Sequence, residues 1–427
     1  MKFLALFLLA QGCFGLTTTQ LSAVIADLRG IIPPTSQRTE RMDVLGGMLR
    51  LPFHDAFGSG TSPDGCLDPN EKDHNGLEVV RAIVDPVCTQ HAAHLSRTDC
   101  WALAGNVAIE AAGGDAVKFR FGRTTCADEQ LVVDTDLLPL ANPDGNPWTH
   151  VLDVFNLRGA FSVREIVALM GAHSIGRPSS DPNLNSGFSA LPWVAGNLNG
   201  ATLTSAFYGD ITGRPWEKSD DIPGEWLHSP QPGGASDSLM LNTDMSMVID
   251  TSSCNFGTNG PKTFGGNGGD PGGGGPGGGG PAAGGAVSNS GNCAFNAEPY
   301  AEVQRYAEPA NQALWKSEFS AAIQKMEELG YSTWSVGGII TDTRLCEVTD
   351  TSEACDTSNS ASTTEPSSNS ASTAVSSSSS TSTTVPSSAP TYFDGFLDRT
   401  GLTKCLFTVV VVVVFVVVFT FVSFACF

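Results

Sequence analysis

The sequence predicts an all-α fold for the central part of the chain, and three observations support this prediction. Apolar residues recur at helical spacing in six segments, typical helix-start residues precede two of them, and no stretch shows the sustained alternation of a sheet. The six segments are 21–28, 44–53, 77–84, 101–112, 163–170 and 314–329. Ser96 with Asp99 caps the fourth helix, and Ser162 with Glu165 forms a capping box that begins the fifth.

Composition limits the class of protein. The chain has 427 residues, of which 41% are hydrophobic, enough for one large or two small domains. Its formal net charge of −21 argues against nucleic acid or an anionic surface as a partner. We expect a monomer.

Both ends of the chain have the composition of targeting segments. Residues 1–15 read as a signal peptide, which leaves a globular region at 16–355. Residues 356–405 are rich in Ser and Thr and predict a glycosylated stalk with a spacer. Residues 406–427 are uncharged and apolar, and they predict a GPI-attachment signal or, as the alternative, a transmembrane span. We therefore expect a secreted protein held on the outer face of the cell membrane.

The cysteines also favour an oxidising compartment. Of 11 in the chain, eight lie between Cys66 and Cys355, an even number that allows four disulfides. The segment 257–291 is dominated by Gly and Pro and predicts a flexible surface insertion. Cys254 and Cys293 bracket it, and a bond between them would close it.

Arg50, His54 and Asp55 bring a fixed cation, an imidazole and a carboxylate within six residues. On a helix, Arg50 and His54 share one face because they are four residues apart. This pair suits a reaction in which the imidazole accepts a proton and the cation stabilises developing negative charge. A surface histidine beside an unrelated Asp is the alternative.

A second histidine lies about 120 residues downstream, at the end of the segment that Ser162 begins. That helix should run about three turns and end near Gly176, which puts His173 at its C-terminus on an apolar face. Taken alone, such a histidine suits a role in the core.

Together, the Arg-Leu-Pro-Phe-His-Asp and Val-Ala-Leu-Met-Gly-Ala-His motifs resemble the plant, fungal and bacterial haem peroxidase superfamily, and the resemblance covers about 19–346. It implies a bilobed helical fold with haem b between the lobes and hydrogen peroxide as a substrate. His173 would be the axial iron ligand, while His54 and Arg50 would act on peroxide and Phe53 would line the haem site. It also implies a bond between Cys100 and Cys346.

Further resemblances concern the proximal side, the face of the haem on which His173 lies. Asp244 lies in a segment like the one whose Asp accepts a hydrogen bond from the axial histidine, and Asp250 is its rival. Such a carboxylate raises the basicity of the ligand. Pro192-Trp193 resembles the cytochrome c peroxidase branch, in which the Trp packs on the axial histidine and can hold a radical. A buried structural role for Trp193 is the alternative.

One departure concerns the partner of the distal histidine, His54. The family has an Asn two residues before a Gly-Leu pair, where it orients this histidine. Here that position holds His74, and Asn75 is shifted by one residue. We expect either Asn75 or His74 to orient His54.

The reductant sites of the fungal secreted class are mostly missing. Where that class binds manganese, this chain has Asp43, Gly47 and Ser179, which is one carboxylate of three. Ala168 replaces the surface Trp that oxidises lignin-type substrates. We therefore expect small phenolic or aromatic reductants.

Calcium is implied at one or two sites. Asp55 and Asp64 resemble distal ligands, although Cys66 replaces a hydroxyl ligand of that site. On the proximal side Ser174 matches the first ligand, with Asn197 and Thr204 at later positions. A non-catalytic surface or adhesion protein that retains the fold is the alternative to a peroxidase.

Overall fold

The computed structural model describes residues 16–58, 62–68, 72–126, 138–140, 143–178, 188–194, 200–229, 234–256, 263–267, 287–289, 292–331 and 346–347. The chain divides into two units, Met1–Ala361 and Ser362–Phe427. All described residues belong to the first unit. The predicted signal peptide, stalk and tail lie outside the described residues.

Helices make up most of the described part, as the apolar periodicity predicts. They are α1 (Thr18–Gly30), α2 (Arg38–Gly58), α3 (Leu77–Gln90), α4 (Arg97–Ala111), α5 (Pro147–Gly159), α6 (Val163–Met170), α7 (Ala206–Gly213), α8 (Asn242–Met245), α9 (Ala297–Ala307) and α10 (Gln312–Glu327). Each of the six predicted segments lies in a helix to within two residues. The caps are also confirmed: Ser96 accepts the Asp99 N–H, and Ser162 and Glu165 form the capping box.

The core forms where α2 packs against α3 and α4 and where α10 packs against α6. Trp101 of α4 and Trp315 of α10 are fully buried there. Gly105 allows a close approach between α2 and α4, since a Cβ at this position would lie 2.7 Å from Cγ of Pro52. Among the described residues, no helix is both long and apolar enough to cross a membrane.

A five-stranded antiparallel sheet was not predicted from the sequence. Its strand order is β4-β3-β2-β5-β6, with β2 (Trp216–Lys218), β3 (Glu225–His228), β4 (Ser238–Leu241), β5 (Thr263–Asn267) and β6 (Val287–Asn289). Two of these strands, β5 and β6, lie within the Gly/Pro-rich segment 257–291. Backbone hydrogen bonds to a neighbouring strand do not require apolar side chains, so composition alone did not reveal them.

The disulfides correct one expectation. Cys100 bonds to Cys88, not to Cys346. The last turn of α3 and the first turn of α4 meet where the chain reverses, which brings these two buried cysteines together. Cys346 instead lies in β7 (Cys346–Glu347), opposite Phe121 of β1 (Arg120–Phe121).

Two further disulfides join cysteines that lie outside the helices. Cys254 bonds to Cys293, which confirms the predicted closure of the insertion. Cys66 bonds to Cys126.

Candidate active site

Helix α2 places Arg50 and His54 on one face, as their spacing predicts. The guanidinium Nε–H of Arg50 donates to Nε2 of His54 at 2.9 Å. The other two guanidinium nitrogens donate to the backbone carbonyls of Asn75, at 2.9 Å, and Asp73. Arg50 is therefore held by the backbone of the following loop and directed at the imidazole. Phe53 lies edge-on to His54, with ring centroids 5.7 Å apart.

The surroundings of His54 favour its neutral form. Burial lowers the pKa of His54 well below its usual value, and the positive charge of Arg50 and the neighbouring His74 lower it further. Burial also lowers the pKa of Arg50 to about 10, which still leaves it a cation at neutral pH. The pair therefore combines an uncharged base with a fixed positive charge.

The ring of His74 lies beside the ring of His54. The His54 and His74 rings meet edge to face, with centroids 5.3 Å apart and planes at 70°. His74 is buried and its Nδ1 contacts the Asp68 carbonyl at 3.0 Å, whereas Asn75 is exposed. Of the two candidates for orienting His54, only His74 contacts its ring.

The backbone changes form just before His173. Helix α6 ends at Met170 and continues as a 3₁₀ turn over Gly171–Ser174. A Cβ at Gly171 would lie 2.5 Å from the Tyr208 hydroxyl and 2.6 Å from Cζ2 of Trp315, so a larger residue would displace these rings. Both rings hydrogen-bond the Ala168 carbonyl. The tighter turn, held by these bonds, positions His173 at the end of the helix.

Asp244 and Trp193 hold the His173 ring. Nδ1 of His173 lies 2.8 Å from Oδ1 of Asp244, while the other carboxylate oxygen accepts the backbone N–H of Leu241 at 2.8 Å. Trp193 stacks on the imidazole, with centroids 4.1 Å apart and planes at 6°. Asp250, the rival carboxylate, bonds instead to Ser252.

One ring nitrogen of His173 thus faces a fully buried carboxylate, yet a third of the His173 side chain is exposed. This arrangement leaves Nε2 directed away from Asp244. A neutral imidazole with one nitrogen anchored in this way is a typical metal ligand.

Asp43, the one carboxylate at the positions where the fungal secreted class binds manganese, pairs with an arginine. Arg177 binds the Asp43 carboxylate through two nitrogens, at 2.9 and 3.1 Å. Arg177 was not predicted as a site residue, although it lies only four residues after His173 in the sequence. Ala168, at the place of the surface Trp, is fully buried. Ser179 lies outside the described residues.

The predicted calcium ligands fall into two places. Asp55 and Asp64 do come together, since Oδ1 of Asp55 accepts the backbone N–H of Asp64 at 3.0 Å and of Gly65 at 2.8 Å. Burial, followed by the charge of Asp64, raises the pKa of Asp55 to about 8. Cys66 also lies beside Asp64, but its sulfur is bonded to Cys126.

The proximal candidate Ser174 lies elsewhere in the described structure. Its hydroxyl accepts the backbone N–H of Thr204 at 3.1 Å. This contact brings together two of the three predicted positions, while Asn197 lies outside the described residues.

Comparison with known sequences identifies the family. The model of the family described as Peroxidase matches residues 34–256, a range that includes both histidine groups. The chain belongs to the peroxidase family.

Several fungal peroxidases are relatives of this chain. It is 32% identical over 238 residues to a protein named as a heme-binding peroxidase of Yarrowia lipolytica, covering 53% of this chain and 75% of that protein. It is 32% identical over 222 residues to a mitochondrial cytochrome c peroxidase of Cryptococcus neoformans var. grubii, covering 48% and 53%. A protein of Mycosarcoma maydis that is also named as a heme-binding peroxidase is 35% identical over 181 residues, covering 41% of this chain and 50% of that protein. The chain thus spans about half the length of two of these three relatives.

Proposed function

We propose that this protein is a haem peroxidase that acts outside the cell, reduces hydrogen peroxide and oxidises small phenolic or aromatic donors in one-electron steps. One observation carries the proposal. Two histidines from separate segments have opposite charges beside them. His54 is a neutral base next to the Arg50 cation, and His173 is an imidazole held by the Asp244 carboxylate. A purely structural protein has no need for both the Arg50–His54 pair and the His173–Asp244 pair.

The residues present fit haem. His173 would hold the haem iron, since one of its nitrogens is held by a carboxylate and its ring is partly exposed. Phe53 supplies an apolar surface beside His54. When bound, haem supplies the redox-active iron at which peroxide is reduced and donors are oxidised.

The distal residues would move the proton. Nε2 of neutral His54 accepts a proton from one peroxide oxygen and returns it to the other as the O–O bond breaks. Arg50 stabilises the negative charge on the departing oxygen. Because Arg50 Nε–H donates to this same nitrogen in the described structure, it must release Nε2 as peroxide enters. Its contacts with the carbonyls of Asn75 and Asp73 keep it nearby.

The surface chemistry favours organic donors over Mn(II). Asp43 is the one carboxylate at the positions where the fungal secreted class binds manganese, and it already forms an ion pair with Arg177. A hard divalent cation needs several free oxygen ligands. Small phenols require only access to the haem edge.

Trp193 supports a second type of donor. Its stacking on His173 at 4.1 Å makes it a short route for electrons toward the axial ligand. A protein that delivers single electrons could therefore act through Trp193. Replacing Trp193 with Phe should leave phenol oxidation within about threefold of wild type and slow oxidation of a reduced cytochrome at least ~10-fold. An equal loss for both donors would count against this route.

Calcium at Asp55 and Asp64 is a further part of the proposal. The two carboxylates lie together and Asp55 is buried, which suits an oxygen-liganded cation. The disulfide of Cys66 removes one ligand position, so we propose weak binding. Chelation should then lower the melting temperature, and Asp64→Asn should abolish this effect of the chelator.

Secretion rests on sequence segments and on the disulfides. The signal-like residues 1–15, the stalk at 356–405 and the tail at 406–427 support attachment to the outer face of the membrane. Three disulfides within the described residues are typical of an oxidising compartment. Release of the protein from cells by a phospholipase that cleaves GPI anchors would support a GPI anchor over a transmembrane span.

Activity is tested by adding haem to the purified protein and supplying peroxide with a phenol. We expect a Soret band and peroxide-dependent phenol oxidation. A protein that binds haem but shows no turnover with phenol or reduced cytochrome would favour the non-catalytic surface role instead.

A further inference from the structure

Within the described part of the chain, the hydrogen bonding of His54 is incomplete at one of its two ring nitrogens. Its Nδ1 is buried and has no hydrogen-bond partner among the residues that the structure describes. Buried polar atoms of folded proteins are nearly always bonded, because leaving one without a partner costs about 1–3 kcal/mol. A group near His54 is therefore expected to serve this nitrogen.

The contacts of Arg50 define what that partner must be. Arg50 Nε–H can only donate, so Nε2 of His54 must carry its lone pair. A neutral imidazole then has its proton on Nδ1. The missing partner of Nδ1–H is consequently an acceptor.

His74 has the complementary form. Its Nδ1 contacts the Asp68 carbonyl at 3.0 Å, and a carbonyl can only accept, so His74 is protonated at Nδ1. Nε2 of neutral His74 therefore carries a lone pair. The two rings already meet edge to face at 5.3 Å.

The position of the His74 ring requires a glycine at residue 58. A Cβ at Gly58, the last residue of α2, would lie 2.6 Å from Nε2 of His74. Glycine at this position lets the His74 ring lie against the same helix that carries His54. A larger residue would push the ring away.

We infer that His74 is a positioning residue whose Nε2 accepts the Nδ1–H of His54, after a small ring rotation or through one bridging water. This hydrogen bond would hold His54 in the tautomer that leaves Nε2 basic and facing the reacting oxygen. The inference rests on the proposed function, because it assigns a role toward the same peroxide-activating histidine.

The test compares two variants that differ in their ability to accept this hydrogen bond. His74→Leu removes the acceptor, and His74→Gln keeps one near the position of Nε2. With the full chain loaded with haem, His74→Leu should lower the second-order rate of the peroxide-induced Soret change ~10–100-fold. His74→Gln should stay within about threefold of wild type. His94→Leu, on an exposed turn, is the matched control and should have no effect.

A second readout does not depend on turnover. The ¹⁵N shifts of selectively labelled histidines in the haem-free full chain report which nitrogen of His54 carries the proton. Because the Arg50 contact alone fixes this tautomer, the spectra are compared without it. Arg50→Leu and Arg50→Leu/His74→Gln should show a single Nδ1–H form, whereas Arg50→Leu/His74→Leu should show a mixture. If the variant that combines Arg50→Leu with His74→Leu fails to fold, the Arg50→Leu spectrum still decides, since a mixed tautomer there contradicts the inference.

The two proposals fail in different ways. A wild-type protein that binds haem but does not react with peroxide refutes the proposed function, and the tautomer still tests His74. A wild-type protein that reacts, with His74→Leu equally fast and no change of tautomer when His74→Leu is added to Arg50→Leu, refutes the role of His74 alone.

Discussion

The two histidine sites of this protein differ in how their rings are held. His173 is fixed by a buried carboxylate on one nitrogen and a stacked Trp on its face. His54 has a cation on one nitrogen and, among the described residues, no hydrogen-bond partner on the other, while a second imidazole contacts its ring. A carboxylate makes an imidazole a better electron donor, whereas burial beside a cation makes it harder to protonate.

The neighbours of each histidine thus adapt the same type of side chain to two different roles. Residue identity is the same at both sites. The difference lies in charge, burial and the direction of hydrogen bonds, and these can be changed one at a time.

The largest expected effect comes from removing the anchored imidazole. His173→Ala should lose most of its affinity for haem, because no other described side chain replaces the nitrogen that Asp244 holds. Titration with haem, followed at the Soret band, measures this loss. His91→Ala removes a histidine that pairs with Asp27 and contributes to neither site, and this variant should bind haem normally. A normal Soret spectrum in His173→Ala would refute the ligand assignment.

The next effect tests the cation of the distal pair. Arg50→Leu should lower the rate of peroxide activation ~10²-fold, because the charge that stabilises the departing oxygen is lost. Since Arg50 also lowers the pKa of His54, this variant should lose activity at a higher pH on the acid side than wild type. Burial remains as the larger cause, so the acid limb should move only part of the way toward pH 6.5. An acid limb that does not move would show that Arg50 leaves His54 electrostatically unchanged.

A third test removes the charge at the proximal site without removing the hydrogen bond. Asp244→Asn should raise the reduction potential of the bound haem and weaken haem binding ~10–100-fold. The structure offers a matched control, because His228 pairs with Asp237 at the same 2.8 Å on the sheet. Asp237→Asn should leave the potential unchanged. Equal shifts in both variants would indicate a general effect of net charge.

The smallest effect concerns a buried carboxylate outside both sites. Burial raises the pKa of Glu327 to about 8, with Asn106 as its side-chain partner. The folded protein therefore holds a proton that the unfolded chain releases above its ordinary pKa near 4.5. The free energy of unfolding should fall as pH rises between these values, by at most ~1.4 kcal/mol per pH unit.

Glu327→Gln isolates this contribution. Denaturant unfolding at pH 5 and pH 8 should show a smaller difference for the variant than for wild type. Peroxide activation by the folded variant should match wild type at either pH. Identical pH dependence of stability in both proteins would show that Glu327 is ionised in the folded state.

Local sequence signals predicted most of the helices and the positions of both histidines along them, whereas the roles of the two histidines came from resemblance to a family. The spacing of Arg50 and His54 on one helix follows from a period of 3.6 residues, and the capping box locates the start of the helix before His173. The contact between His173 and Asp244 joins residues 71 positions apart and came only from resemblance to a family.

Other features depend on packing that the sequence does not encode locally. The 3₁₀ turn at His173 arises because Gly171 packs against rings from α7 and α10. Cys88 and Cys100 pair because two helices meet at a chain reversal, and eight cysteines allow too many connectivities for spacing to decide. The choice of His74 over Asn75 depends on which side chain the loop buries.

Stopped-flow mixing of the haem-loaded protein with peroxide, for wild type and His54→Leu, tests the central claim most directly. Wild type should show a fast, saturable or second-order change in the Soret band that persists below pH 6.5, because the pKa of His54 is lowered. His54→Leu should bind haem through His173 as before and react ~10²–10⁴-fold more slowly. Equal rates in the two proteins would contradict the account, since the base would then lie elsewhere.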